Sequence, residues 1–272
     1  MQKFLQKEDY EEPQCLLNMH PEIVRVPTRR ILDKLDSYLA KKDFDMAQRL
    51  LKGWEQEADQ GNDLQGKLTI LNEEIGLYRK LDKKEECLGA ITQAKHTLEK
   101  LNFSDTQTGA TTYINAATGY KAFGMPNEAL PLYIKAREIY EEQLSQTDDR
   151  LAALYNNMAL TLTELSSYDE AIELYKKAIA ILENINGSEP EIAITYLNMA
   201  DTKSAMLDPV EAERYICDYL DKAEQLLDKE PIPSNANYAY VCEKCAPVFG
   251  HFGYFLTQQK LESRAKEIYE RT

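Results

Sequence analysis

The chain has 272 residues, with 32 Lys and Arg set against 46 Asp and Glu, for a formal net charge of -14. That surplus of carboxylates argues against a nucleic-acid partner, whose phosphates call for a basic stripe. The first ten residues hold no apolar core for a signal peptide, and no apolar run approaches the ~18 residues of a membrane helix. Five cysteines, an odd number without framework spacing, suit a reducing cytoplasm.

Residues 1–28 are polar and broken by Pro13, Pro21 and Pro27, which predicts an arm or short cap. From residue 29 to 272 the pattern is helical and repetitive. Ile31, Leu35 and Tyr38 lead to Ala47 and Leu51; Leu71, Ile75 and Tyr78 lead to Cys87 and Ile91. Tyr113, Ala116 and Ala117 precede Ala129 and Tyr133, and Tyr155, Met158 and Ala159 precede Ala171 and Tyr175. Tyr196, Met199 and Ala200 then precede Ala212, and Phe249, Phe252, Gly253 and Leu256 precede Ala265 and Tyr269.

Within each unit apolar residues recur at i, i+3, i+4 and i+7, the stripe of an amphipathic helix. The small residue assigned to the second helix falls at Ala47, Cys87, Ala129, Ala171, Ala212 and Ala265, at spacings of 40, 42, 42, 41 and 53. The predicted fold is all-α: a solenoid of about six antiparallel helix pairs, with an insertion near 228–240 around Pro231 and Pro233. Gly124 and Pro126 mark a hairpin turn. Gly187 reads as a helix stop, with Ser188 to cap, Pro190 in the first turn and Glu191 completing a capping box.

The order of a large residue, a small pair, a tyrosine and then Ala-x-x-x-Tyr-x-x-Ala resembles the tetratricopeptide repeat. Phe249-Gly-His-Phe252-Gly253-Tyr-Phe-Leu256 is similar to its W-x-x-L-G-x-x-Y signature. The units are longer than that family's usual period of about 34 residues. They resemble the repeats of kinesin light chains and of bacterial peptide-sensing regulators. The resemblance implies a right-handed superhelix with the first helices lining its concave face.

Asn115, Asn157 and Asn198 share one register on three successive first helices. At about 100° per residue, Asn157 points away from the stripe of Tyr155, Met158, Ala159 and Leu162. Asparagine offers donors and an acceptor without charge, so such a ladder can pair with the main chain of an extended peptide. The families resembled use groove asparagines in this manner. The competing reading is that each asparagine bonds the neighbouring repeat. In the same reading Asn72, Thr111, Asn156, Asp201, His251 and Tyr254 tune selectivity, with His251 taken as the ladder position of the last repeat and Tyr254 as an anchor beside it.

Cys242 and Cys245 have CxxC spacing, but one knuckle on a helix reads as core packing rather than a zinc site. Adjacent acidic residues such as Glu73 and Glu74 read as solvated helix faces. No catalytic or cofactor motif is visible. The expectation is a cytoplasmic, non-enzymatic scaffold that holds a protein or peptide partner, without cofactor, metal, nucleic acid or membrane. The alternative is a peptide-sensing regulator that acts through a separate effector. A homodimer through the C-terminal hairpin is the further partner expected.

Overall fold

The computed structural model describes residues 23–271. The proposed arm falls mostly on 1–22, outside the described residues. Residues 23–27 run along the turn after the second helix, where Val24 N–H donates to the Gly61 carbonyl at 2.9 Å and Val26 N–H to Asp63 Oδ2 at 3.0 Å. A side chain at Gly61 would collide with the Val24 carbonyl at 2.4 Å, so glycine lets the strand of backbone approach.

Twelve helices follow among the described residues. The first hairpin is α1 (Thr28–Ala40) with α2 (Phe44–Gln60), and the second is α3 (Leu64–Lys80) with α4 (Lys84–Lys100). Then come α5 (Gln107–Ala122) with α6 (Pro126–Gln143), and α7 (Asp149–Glu164) with α8 (Tyr168–Leu182). The last two are α9 (Glu189–Met206) with α10 (Pro209–Leu227), and α11 (Ala236–His251) with α12 (Phe255–Arg271). They pack as sequential antiparallel pairs in an α-solenoid.

Small residues set the close approaches. Ala47, Cys87, Ala129, Ala171 and Ala212 each stand at the fourth position of a second helix and are buried. The sequence assignment fails in the sixth unit. Ala265 is the eleventh residue of α12, and Gln258 holds the equivalent place. The room comes from the partner helix, where a Cβ on Gly250 would sit 2.1 Å from Gln258 Oε1. The long spacing of 53 thus comes partly from this misassignment and partly from the connection at 228–235. Phe249–Leu256 likewise is not the middle of a first helix. It straddles the α11–α12 turn, with Gly253 at φ 86° and Leu256 84% exposed. Tyr269, assigned to the core, is 45% exposed.

Gly187 takes its expected left-handed φ of 83°, and Pro190 lies in the first turn of α9. The capping box does not form. Ser188 Oγ turns back and donates to the Leu182 and Ile185 carbonyls, so it closes α8 instead of opening α9. The first helices of successive pairs pack on one another from α1 to α11, while successive second helices do not pack to that extent. The array therefore curves toward the first helices, which form its inner face.

Candidate functional site

With α7 as reference, the position of Asn157 is held by Glu73 on α3, Asn115 on α5 and Asn198 on α9. On α11 it is held by Lys244, not His251. His251 ends α11 in register with Lys80 and Glu164, at the rim of the inner face, and the misplacement follows from the same slip that misassigned Ala265. Tyr254 lies in the α11–α12 turn, packs its ring near Phe249 and donates its hydroxyl to Asp221 on α10 at 3.4 Å. It is not a groove anchor.

The asparagines divide into two groups. On α3 and α5, Asn115 Nδ2 donates to Asn72 Oδ1 at 2.9 Å, while Asn72 Nδ2 donates to the Leu68 carbonyl at 3.0 Å and Thr112 Oγ1 at 3.1 Å. These two amides stitch neighbouring repeats together. Thr111 is also engaged, against the Gln107 carbonyl and the Tyr140 hydroxyl. On α7 and α9 the same pair of registers holds Asn156 and Asn198, yet no such bond closes. Asn156 Oδ1 is buried without a hydrogen-bond partner. Asn157 and Asn198 contribute backbone carbonyls to Thr161 and Thr202, and among the described residues their amide side chains bond nothing.

Asp201 stands one turn beyond Asn198. It is open to solvent on one side, yet the surrounding helices enclose it enough for burial to raise its carboxyl above the usual range, against the opposing influence of His251. The structure thus gathers Asn156, Asn157, Asn198 and Asp201 on α7–α9, with His251 beside Asp201. It leaves Asn72, Asn115 and Thr111 tied up on α3 and α5, in the two preceding repeats.

Glu74 overturns the expectation of a solvated face. Its register is that of Ala116, Met158 and Met199, and it is fully buried between α2 and α3. Lys52 donates to Glu55 at 2.7 Å and to Glu74 Oε2 at 3.2 Å, while Glu74 Oε1 has no partner. Burial, and then the charge of Glu55, push the Glu74 carboxyl up to about 7 despite Lys52. Burial opposes the Lys52 charge, but Glu55 and Glu74 together hold its ammonium above the ordinary range. Aligning the repeats position by position is the signal that would have found this residue.

Cys242 and Cys245 occupy the registers of Tyr155 and Met158 and are buried core residues. Burial pushes both thiols up. Among the described residues no cluster of three His, Cys, Asp or Glu is placed to hold a metal ion, and no helix is long and apolar enough to cross a membrane.

Residues 150–225 match the tetratricopeptide repeat family. That stretch carries tetratricopeptide repeats. Solved structures resemble the fold of the chain over most of its length. Kinesin light chain TPR-like repeats from Podosopora anserina share 17% identity at a TM-score of 0.54, covering 74% of this chain and 94% of that one. NprR in complex with its cognate peptide NprX shares 15% at 0.58, covering 90% and 67%. The apo form of RapI shares 14% at 0.58, covering 90% and 98%. At these identities the likeness concerns the fold. No curated protein matches the sequence. Tetratricopeptide repeats are a protein-binding, typically non-catalytic scaffold.

Proposed function

We propose that the chain is a non-enzymatic scaffold, read as one array from Thr28 onward, that holds an extended peptide or partner tail along its inner face. The centre of the site is α7–α9. The observation that carries this reading is the set of unused amides there: free Asn157 and Asn198 side chains beside the buried, unpartnered Oδ1 of Asn156. A buried polar atom without a partner is costly, and a ligand N–H would relieve it. Asn72 and Asn115 act as structural stitches in this account. Asp201 and His251 set selectivity at the rim by favouring a cationic or hydrogen-bonding side chain.

NprR, a similar fold, is seen with its cognate peptide NprX. A peptide-sensing regulator would use the same groove and pass the signal to a separate effector. Free buried thiols at Cys87, Cys242 and Cys245 fit a reducing compartment such as the cytoplasm. A homodimer through the C-terminal hairpin is the weaker partner reading. Where α8 presents Tyr175 and Ile179, α12 presents Glu262 and Lys266, and these charges resist burial.

Peptides selected from a displayed random library on the full chain provide the test. The selected peptides should bind an Asn157→Ala, Asn198→Ala variant of unchanged helicity about tenfold more weakly, as expected for losing two hydrogen bonds. Equal binding by the folded variant would move the site away from α7–α9.

A further inference from the structure

A second surface lies opposite the asparagines, between α6 and α8, with α7 as its floor. It is a groove of about 460 Å³. Leu130 and Ile134 line it from α6, one turn apart, and buried Met158 and Leu162 floor it. Its α8 wall carries three exposed carboxylates, Asp169, Glu170 and Glu173. Its α6 wall carries Arg137, whose Nε is buried without a hydrogen-bond partner, 3.8 Å from Glu141.

This combination is confined to one place in the array. The equivalents of Leu130 and Ile134 are Gln48 and Lys52 on α2, Leu88 and Thr92 on α4, Ile172 and Lys176 on α8, and Glu213 and Cys217 on α10. No other second helix places carboxylates at all three positions of Asp169, Glu170 and Glu173. A repeat drawn only to stack would have no need for an aliphatic strip edged by opposite charges.

We propose that this outer groove docks an amphipathic helix of a partner protein. Its anchors recur once per turn on both walls, Leu130 to Ile134 and Asp169 to Glu173, which is the spacing a helix presents at i and i+4. The occupant carries aliphatic side chains on one face, Lys or Arg along the flank that meets α8, and a carboxylate on the flank that meets Arg137. The charge pattern fixes its direction and excludes a uniformly acidic or uniformly basic helix. Glu173 already pairs with Lys176 at 2.7 Å, but both are exposed and the pair exchanges readily. The site is independent of the inner groove and stands or falls without it.

The probe is a synthetic helical peptide of about 15 residues, with leucines at i, i+3, i+4 and i+7, lysines on one flank and a single glutamate on the other. Its mirror exchanges lysine and glutamate flanks at unchanged composition. Fluorescence anisotropy with the full chain should show the first peptide binding roughly tenfold more tightly than the mirror. A Glu170→Lys, Glu173→Lys variant should invert that preference, and Asn157→Ala, Asn198→Ala should leave it unchanged. Equal binding of the two peptides would mean attraction to net charge alone, and would overturn the proposal. Failure of the first peptide to bind wild type, or loss of its binding in the asparagine variant, would overturn it as well.

Discussion

Glu74 shows what a single side chain can do to this array. Its repeat equivalents are Ala116, Met158, Met199 and Cys245, so a carboxyl has been set where apolar side chains pack. With the folded carboxyl raised from 4.5 to about 7, both states are protonated below the unfolded value and ionisation adds no penalty there. As pH rises between the two values, the unfolded chain loses its proton first and stability falls. Above the folded value the full penalty is present, on the order of 3 kcal/mol for a shift of this size. Glu74→Met should therefore stabilise the protein, and by about 2–3 kcal/mol more near pH 8.5 than near pH 4.5. Urea denaturation at the two pH values measures this; a gain independent of pH would contradict it. In the sequence Glu74 reads as half of an acidic pair on a helix face, because helical neighbours are read by type rather than by register. Only the position against Ala116 and Met158 reveals the burial.

At the scale of the element, the hairpin turns repeat as faithfully as the helices. One position in five of the six hairpins has positive φ: Lys42 (56°), Asp82 (55°), Gly124 (69°), Ser166 (61°) and Gly253 (86°). Left-handed backbone crowds a Cβ against the following carbonyl, at a cost of about 1–2 kcal/mol, which glycine avoids. Ser166→Gly should thus raise stability by about 0.5–1 kcal/mol, read as a higher Tm without loss of helicity. A lower Tm would mean that the Ser166 hydroxyl, 3.4 Å from Tyr168, matters more than the backbone. Period, helix pairing and the turns at Gly124 and Gly187 were legible because each rests on local periodicity and on glycine. The last repeat was not. Gly253 and Ala265 have the right residue types for the family signature, while Gly250 and Gln258 share between two helices the space that a single alanine supplies elsewhere.

At the scale of the molecule, the core among the described residues falls into three blocks: α1–α2 with Ile70 and Leu77 of α3, the middle hairpins with Ile192 and Met199 of α9, and the rest of α9–α12. In a repeat array each hairpin gains stability chiefly from its neighbours, so the joints decide what opens first. At the N-terminal joint the Lys52, Glu55 and Glu74 cluster interrupts the apolar contacts made by Ile70 and Leu77. The C-terminal hairpin is tied to α10 by Lys260 and Arg264 on Asp228, at 2.6 and 3.1 Å. Amide hydrogen exchange corrected for pH should show α1–α2 opening more readily near pH 8.5 than near pH 5.5, with α5–α8 unchanged. Uniform behaviour across the array would contradict a weak joint at Glu74. The asparagine ladder was legible at this scale as a column. Which rungs are spent on stitching depends on side-chain geometry that no sequence pattern carries.

The most direct test of the inner groove as a main-chain reader is a series of selected peptides in which one backbone amide at a time is N-methylated. If Asn156, Asn157 and Asn198 grip the peptide backbone, one or two methylations should lower affinity about tenfold or more, and that loss should vanish in the Asn157→Ala, Asn198→Ala variant. A peptide that tolerates methylation at every amide, and depends instead on its side chains, would contradict the account.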